Sequence, residues 1–123
     1  MQNKKILVCD DEPQLVDLLK VRLEANNYNV ITAIDGFEAI EKARNNNPDL
    51  IILDLMLPKL NGYKVCRMLK FDDKYKHIPI IMFTARASQE DKKTGRETGA
   101  DAYITKPFEP KLLLDKIKEL IKK

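Results

Sequence analysis

Acidic side chains in this chain gather where apolar runs stop. Lys5-Ile6-Leu7-Val8-Cys9 is followed by Asp10, Asp11 and Glu12, and Leu50-Ile51-Ile52-Leu53 is followed by Asp54. A third run, Pro79-Ile80-Ile81-Met82-Phe83, ends at Thr84, and a shorter one, Ala102-Tyr103-Ile104-Thr105, leads into Lys106. A carboxylate at the end of a strand buried on both faces is costly to desolvate unless a cation or several donors meet it. If these run ends meet in one crevice, three carboxylates repel one another and a single lysine does not offset them; a divalent cation does. An oxygen-rich site with few protein ligands and room for water suits Mg²⁺. Beside such an ion, a carboxylate oxygen of Asp54 is set to attack a phosphoryl group. Lys106 would neutralise charge on the transferring oxygens and the Thr84 hydroxyl would donate to one of them. Singly, each residue has a commoner use: acids before a helix cap it or meet its dipole, a strand-end Thr is satisfied locally, and a Lys before Pro is a solvated charge. Convergence at the ends of separate strands is what favours phosphoryl chemistry.

Convergence is a demand on the fold. Five apolar strand patterns alternate with five helical ones. After the first strand, Pro13 fits an opening helical turn, and Leu15, Leu19 and Leu23 repeat at helical spacing. Asn26-Asn27 ends that helix, residues 28–33 return to the sheet, and Asp35-Gly36 reads as a turn. Ala39, Ile40 and Ala43 give the buried side of a second helix, and Val65, Met68 and Leu69 mark a third beyond a loop through Pro58 and Asn61-Gly62. Ser88-Gln89-Glu90-Asp91 has the form of a capping box opening a fourth. The last runs from about Glu109 with Leu113, Leu114, Ile117, Leu120 and Ile121. Short connections and strict alternation imply an α/β fold, a parallel five-stranded sheet with helices on both faces. A 21345 strand order puts the ligand site at the carboxyl ends of the first and third strands, where the order reverses.

At 123 residues, 44% hydrophobic and 33% charged, the chain is expected to be one soluble domain spanning 1–123. Its longest apolar run is far short of a membrane span, and the start leaves no room for a signal peptide, so a cytoplasmic protein is expected. Cys9 and Cys66 read as buried hydrophobes rather than a disulfide or metal site, and one histidine, His77, builds neither a metal site nor a triad by itself. A net charge of +3 gives no reason to expect direct nucleic-acid binding.

The combined motifs resemble the receiver domain of two-component response regulators, the chemotaxis-receiver type of flavodoxin-like three-layer sandwich. The likeness runs from about Lys4 to Leu120. It rests on Ile6-Leu7-Val8-Cys9-Asp10-Asp11-Glu12, Asp35-Gly36-Phe37-Glu38-Ala39, Leu53-Asp54-Leu55-Met56-Leu57-Pro58 with Asn61-Gly62, Ile80-Ile81-Met82-Phe83-Thr84-Ala85, and residues 99–108 through Thr105-Lys106-Pro107-Phe108. The resemblance implies that Asp54 is the phosphoacceptor, and that Asp11 and Asp54 bind Mg²⁺ directly, with Asp10 acting largely through water and the Met56 backbone carbonyl as a further ligand. It implies Thr84 and Tyr103 as the switch pair, and Lys106 as the phosphoryl-binding lysine before a cis Lys106-Pro107 bond. The implied function is a signalling switch, not a turnover enzyme. It would take phosphate from a sensor histidine kinase or histidine phosphotransfer protein and shift the face of the fourth helix, fifth strand and last helix toward a downstream protein or output domain.

Two features depart from that pattern. The fourth helical segment has no Leu, Ile or Val between Ser88 and Gly99, and Gly95 weakens it further. A short or irregular helix is therefore expected there, with Lys92, Lys93 and Arg96 making the output face basic. Met56 and Arg86, two residues past Asp54 and Thr84, have no carboxylate or amide to orient an attacking water, which implies slow dephosphorylation. The enzymatic alternative is a Mg²⁺-dependent haloacid-dehalogenase-like phosphatase. That family needs a second Asp two residues past the nucleophile, where this chain has Met56.

Overall fold

A computed structural model of the chain describes residues 3–84, without the side chain of Thr84, and residues 99–121. In chain order it contains β1 (Lys5–Cys9), α1 (Pro13–Ala25), β2 (Asn29–Ala33), α2 (Gly36–Asn46), β3 (Leu50–Asp54), α3 (Gly62–Lys70), β4 (Ile80–Thr84), β5 (Ala102–Thr105) and α4 (Pro110–Ile121). The strands form one parallel sheet in the order β2-β1-β3-β4-β5, as the alternation predicts. Five strands and four helices are thus present among the described residues. The remaining predicted helix, Ser88 to Thr98, lies outside them, as do Lys92, Lys93, Gly95 and Arg96 within it and Arg86 before it.

Strand side chains alternate between two separate cores, which is why the central strands read as unbroken apolar runs. Leu7, Cys9, Ile51, Leu53, Ile80 and Met82 face one way and pack with Ala39, Ala43, Val65, Cys66 and Leu69 of α2 and α3. Ile6, Val8, Leu50, Ile52, Ile81 and Phe83 face the other way and pack with Leu19 and Leu23 of α1 and Leu113, Ile117 and Leu120 of α4. Burying one such aliphatic side chain is worth about 2 kcal/mol, so these two layers, rather than the surface ion pairs, hold the sheet. Cys9 and Cys66 are free buried thiols. Burial and the neighbouring Asp10 push the Cys9 thiol far above its ordinary value, leaving it neutral and inert. Met68, one of the residues whose spacing marks α3, is 45% exposed; the buried arc is Val65, Cys66 and Leu69, and Met68 falls on its rim.

The helix ends explain the predicted turns that differ. Asp35 is the N-cap of α2, its Oδ1 accepting from the Glu38 N–H at 2.8 Å, and Asn61 caps α3 by accepting from the Lys64 N–H at 3.0 Å. Thus Asp35-Gly36 and Asn61-Gly62 are helix starts rather than a free turn and loop. Pro13 opens α1, where no N–H is needed. β2 starts at Asn29 rather than Tyr28, because the Tyr28 N–H still donates to the Leu23 carbonyl of α1 (3.1 Å).

Lys70, at the end of α3, gathers three acceptors. Its ammonium meets Asp101 Oδ2 at 2.7 Å, the Ile78 carbonyl at 2.7 Å and the Lys76 carbonyl at 3.2 Å. Asp101 Oδ2 also accepts from the Ile80 N–H at 2.8 Å, so one ion pair joins α3, the start of β4 and the entry to β5. Among the described residues no helix is long and apolar enough to cross a membrane.

Gly62 sets how closely α3 approaches the end of β3. A Cβ on it would overlap the Asp54 carbonyl oxygen and come within 2.9 Å of the Leu55 Cα, both backbone atoms that cannot swing aside. Gly62→Ala is expected to lower stability by about 2 kcal/mol in urea denaturation, through overpacking against backbone.

Candidate functional site

The parallel register brings the acids together. Cys9 pairs with Leu53, so Asp10 and Asp54 emerge beside each other from β1 and β3. They are the two buried charged residues among those described, 2% and 5% exposed. Asp11 is exposed beside them, and one carboxylate oxygen from each of Asp10, Asp11 and Asp54 lies within 4.8 Å of the others. On the far side, Thr84 pairs with Thr105, and Lys106 leaves β5 directly after that pair. Its ammonium lies 5.6 Å from the Phe83 ring centroid, and Phe108 stands edge-on to that ring at 5.1 Å. Lys106 reaches Asp10 Oδ2 at 2.9 Å, Glu12 Oε1 at 3.4 Å and Asp54 Oδ1 at 3.6 Å. The Lys106-Pro107 bond is cis.

Backbone groups complete the cluster. Asp10 Oδ1 accepts from the Glu12 N–H at 2.9 Å, and Asp54 Oδ1 accepts from the Met56 N–H at 3.3 Å. Burial, then Asp10, raises the Asp54 carboxyl above its ordinary value; Lys106 and the Met56 N–H pull it down without cancelling the rise, and Asp11 adds to the push. Burial works against the Lys106 ammonium, but its hydrogen bond to Asp10 and the charges of Asp54, Asp10 and Glu12 outweigh that and hold its pKa up. The site is therefore an excess of negative charge in partial desolvation, tied together by one cation.

The donor set fits a hard divalent ion. Three carboxylates supply oxygen alone, one of them faces solvent, and the charge excess left after Lys106 is what a dication offsets.

The structure thus brings Asp10, Asp11, Asp54 and Lys106 into one cluster. Met56 joins it through its N–H, while its side chain is 57% exposed. Thr84 is at the end of β4 in the predicted position, and its side chain lies outside the described atoms. Tyr103 is half-buried and packs on the α2/α3 side of the sheet, one position from Ile104, which packs on the other. Sequence reading gave no role to Glu12 as a partner of Lys106, or to Phe83 beneath the ammonium. Glu12 was visible only as a third acid in a row, and nothing in the sequence says which way its side chain turns.

The response regulator receiver domain family matches residues 6–118, and the chain belongs to that family. It is accordingly a receiver module of two-component signalling, and a phosphatase of the haloacid-dehalogenase type is not favoured. Among its relatives is the alkaline phosphatase synthesis transcriptional regulatory protein PhoP of Bacillus subtilis, 49% identical over 98% of this chain and 50% of that protein. The chain spans about half the length of the curated relatives it matches. Among solved structures, the chemotaxis response regulator CheY4 of Vibrio cholerae superposes with a TM-score of 0.89 at 33% identity, covering 96% of this chain and 98% of that one. The receiver domain of the Pseudomonas aeruginosa sensor histidine kinase PA1611, with a magnesium ion coordinated in its active site cleft, gives 0.91 at 29% identity over 98% and 99% of the two chains.

The raised Asp54 pKa fixes the sign of a pH effect. The folded protein keeps the Asp54 proton to higher pH than the unfolded chain does, so ionising Asp54 removes stability as pH rises through that interval. In chelator-containing buffer, Asp54→Asn is expected to raise Tm at pH 7. The gain should vanish as pH falls below about 3.9, the ordinary aspartate value. Calorimetry across that range checks it, and added Mg²⁺ should raise the Tm of the wild type more than that of the variant.

Proposed function

We propose that this chain is a phosphorylation-controlled switch that accepts a phosphoryl group on Asp54 from a sensor histidine kinase or histidine phosphotransfer protein. The observation that carries this reading is a single ammonium, Lys106, bridging the side-by-side carboxylates Asp10 and Asp54 at the point where the strand order reverses. Asp10, Asp11, Asp54 and the Met56 carbonyl would hold Mg²⁺, which when bound supplies charge neutralisation at the transferring oxygens. The chain's own residues do the rest. An Asp54 carboxylate oxygen attacks phosphorus as the donor's P–N bond breaks, and the imidazole leaves with the bonding pair and takes up a proton. Lys106, 3.6 Å from Asp54, turns from its carboxylates toward a phosphoryl oxygen. The Thr84 hydroxyl meets another, and the Tyr103 ring moves inward behind it. That rearrangement biases the face that includes β5 and α4, to which a downstream protein or output domain responds.

The module occupies residues 1–123, and its output is a partner or an attached domain. The Bacillus relative is named a transcriptional regulatory protein and is about twice as long as the matched region, so transcriptional output through a further domain is the favoured case. Nucleic-acid contact would then belong to that domain. The chain itself turns over no substrate.

Incubation with acetyl phosphate and Mg²⁺ is expected to add one phosphate by mass to the wild type and none to Asp54→Asn; no gain in the wild type, with no beryllofluoride binding, would sink the reading. The exposed Met56 side chain has no group to orient water. Met56→Asn is therefore expected to shorten the phosphoryl lifetime by about tenfold, less than the roughly hundredfold or more of a true general base because an amide orients the water without taking its proton, measured as decay of the phosphorylated mass. An unchanged lifetime would remove the role for Met56.

A further inference from the structure

Lys106 has one acceptor that the phosphoryl site does not require. Asp10 and Asp54, at 2.9 and 3.6 Å, are buried, whereas Glu12, at 3.4 Å, has a side chain 64% exposed. Glu12 also stands at the N-cap of α1, a position that short Ser, Thr, Asp and Asn side chains fill by bonding the helix, and its longer carboxylate makes no capping bond. Its backbone N–H goes to Asp10 Oδ1 (2.9 Å) and its carbonyl accepts from Val16 (3.0 Å), so the residue is fixed in place while its carboxylate is directed at Lys106. The site therefore carries a solvent-facing anion at its mouth, on the same ammonium that an incoming phosphoryl oxygen must engage.

We propose that Glu12 is a charge selector for the phosphoryl donor, disfavouring donors with an anionic leaving group relative to donors with a nitrogen leaving group. The proposal rests on Asp54 being the acceptor. Two small donors place the same group on Asp54 with different charge at the mouth. From acetyl phosphate, the P–O bond breaks and acetate leaves with the electron pair as an anion. From phosphoramidate, the P–N bond breaks and the nitrogen, protonated, leaves as ammonia, as the imidazole does from a phosphohistidine. A carboxylate that faces solvent beside Lys106 repels the departing acetate and its dianionic parent, and leaves the nitrogen donor little affected. Glu12 competes with the donor's oxygens for Lys106 in both cases, so that effect cancels in the ratio of the two rates.

The test is the ratio of initial phosphorylation rates with acetyl phosphate and phosphoramidate at low ionic strength, followed by mass. Glu12→Gln, which keeps the shape and removes the charge, is expected to raise the acetyl phosphate to phosphoramidate ratio about fivefold, less than the roughly tenfold or more of a whole charged cleft because one exposed charge is removed. Glu12→Asp, which keeps a carboxylate at the mouth, should stay near the wild type. At about 0.5 M salt the wild-type ratio should approach that of Glu12→Gln, because the carboxylate is exposed and screened. The same ratio in wild type and Glu12→Gln, or a lower one in the variant, overturns the selector role while leaving Asp54 phosphorylation intact. If the wild type gains no phosphate from either donor, the acceptor reading fails and the selector fails with it. Glu12 makes no capping bond, so a melting curve close to wild type is expected for Glu12→Gln; Glu12→Ala provides a second charge-free variant.

Discussion

Two carboxylates buried side by side are the constraint on which the rest of this molecule turns. Asp10 and Asp54 have almost no access to water, and a single ammonium stands between them. Such a cluster forms only if the chain supplies its own compensation. Here it comes from the Glu12 and Met56 N–H groups, each turned back onto the carboxylate two residues earlier, and from Lys106, brought across the sheet from β5. Removing any one of these leaves charge in a place where it is poorly solvated. The apolar layers on both sides of the sheet have the converse role: they make the frame stiff enough that the repulsion between the acids cannot relax by moving the strands apart.

The loops around the cluster are held from outside it. The N-terminus of α2 reaches the loop after β3 twice: the Gly36 N–H donates to the Pro58 carbonyl at 3.2 Å, and Asp35 meets Lys59 at 3.5 Å. Gly62 lets α3 start against the carbonyl of Asp54 itself. The backbone that follows Asp54 is thus fixed on two sides by helix starts, whereas the side chains of Met56 and Glu12 face solvent. The held backbone and the solvent-facing side chains are thus different parts of the same loops.

Much of this was legible in the sequence because the strongest signals are one-dimensional. Unbroken aliphatic runs such as Leu50 to Leu53 specify strands buried on both faces, and their alternation with amphipathic helices leaves few topologies. Once the order is set, residues at strand ends must meet, and Asp10, Asp54 and Lys106 follow. What sequence did not reveal depends on side-chain direction. Met68 sits a fraction of a helical turn away from the buried arc, a difference below the resolution of periodicity. The Asp35 and Asn61 caps use residue types shared by turns and helix starts. Glu12 at the start of α1 is not one of the short polar residues that cap helices, and its carboxylate meets a lysine far along the chain that no local pattern points to.

Lys70 and Asp101 carry a consequence for the edge of the sheet. β5 has one strand neighbour and is four residues long, so its own ladder gives it little resistance to sliding. A slip by one residue would exchange Tyr103 and Ile104 between the two cores. The strand is instead pinned at both ends by lysine–carboxylate pairs, Lys70–Asp101 where it enters and Lys106–Asp10 where it leaves. One pin is distant from the acids and the other is part of them. Register along β5 is thereby referred to a fixed point at one end and to the charge state of the crevice at the other.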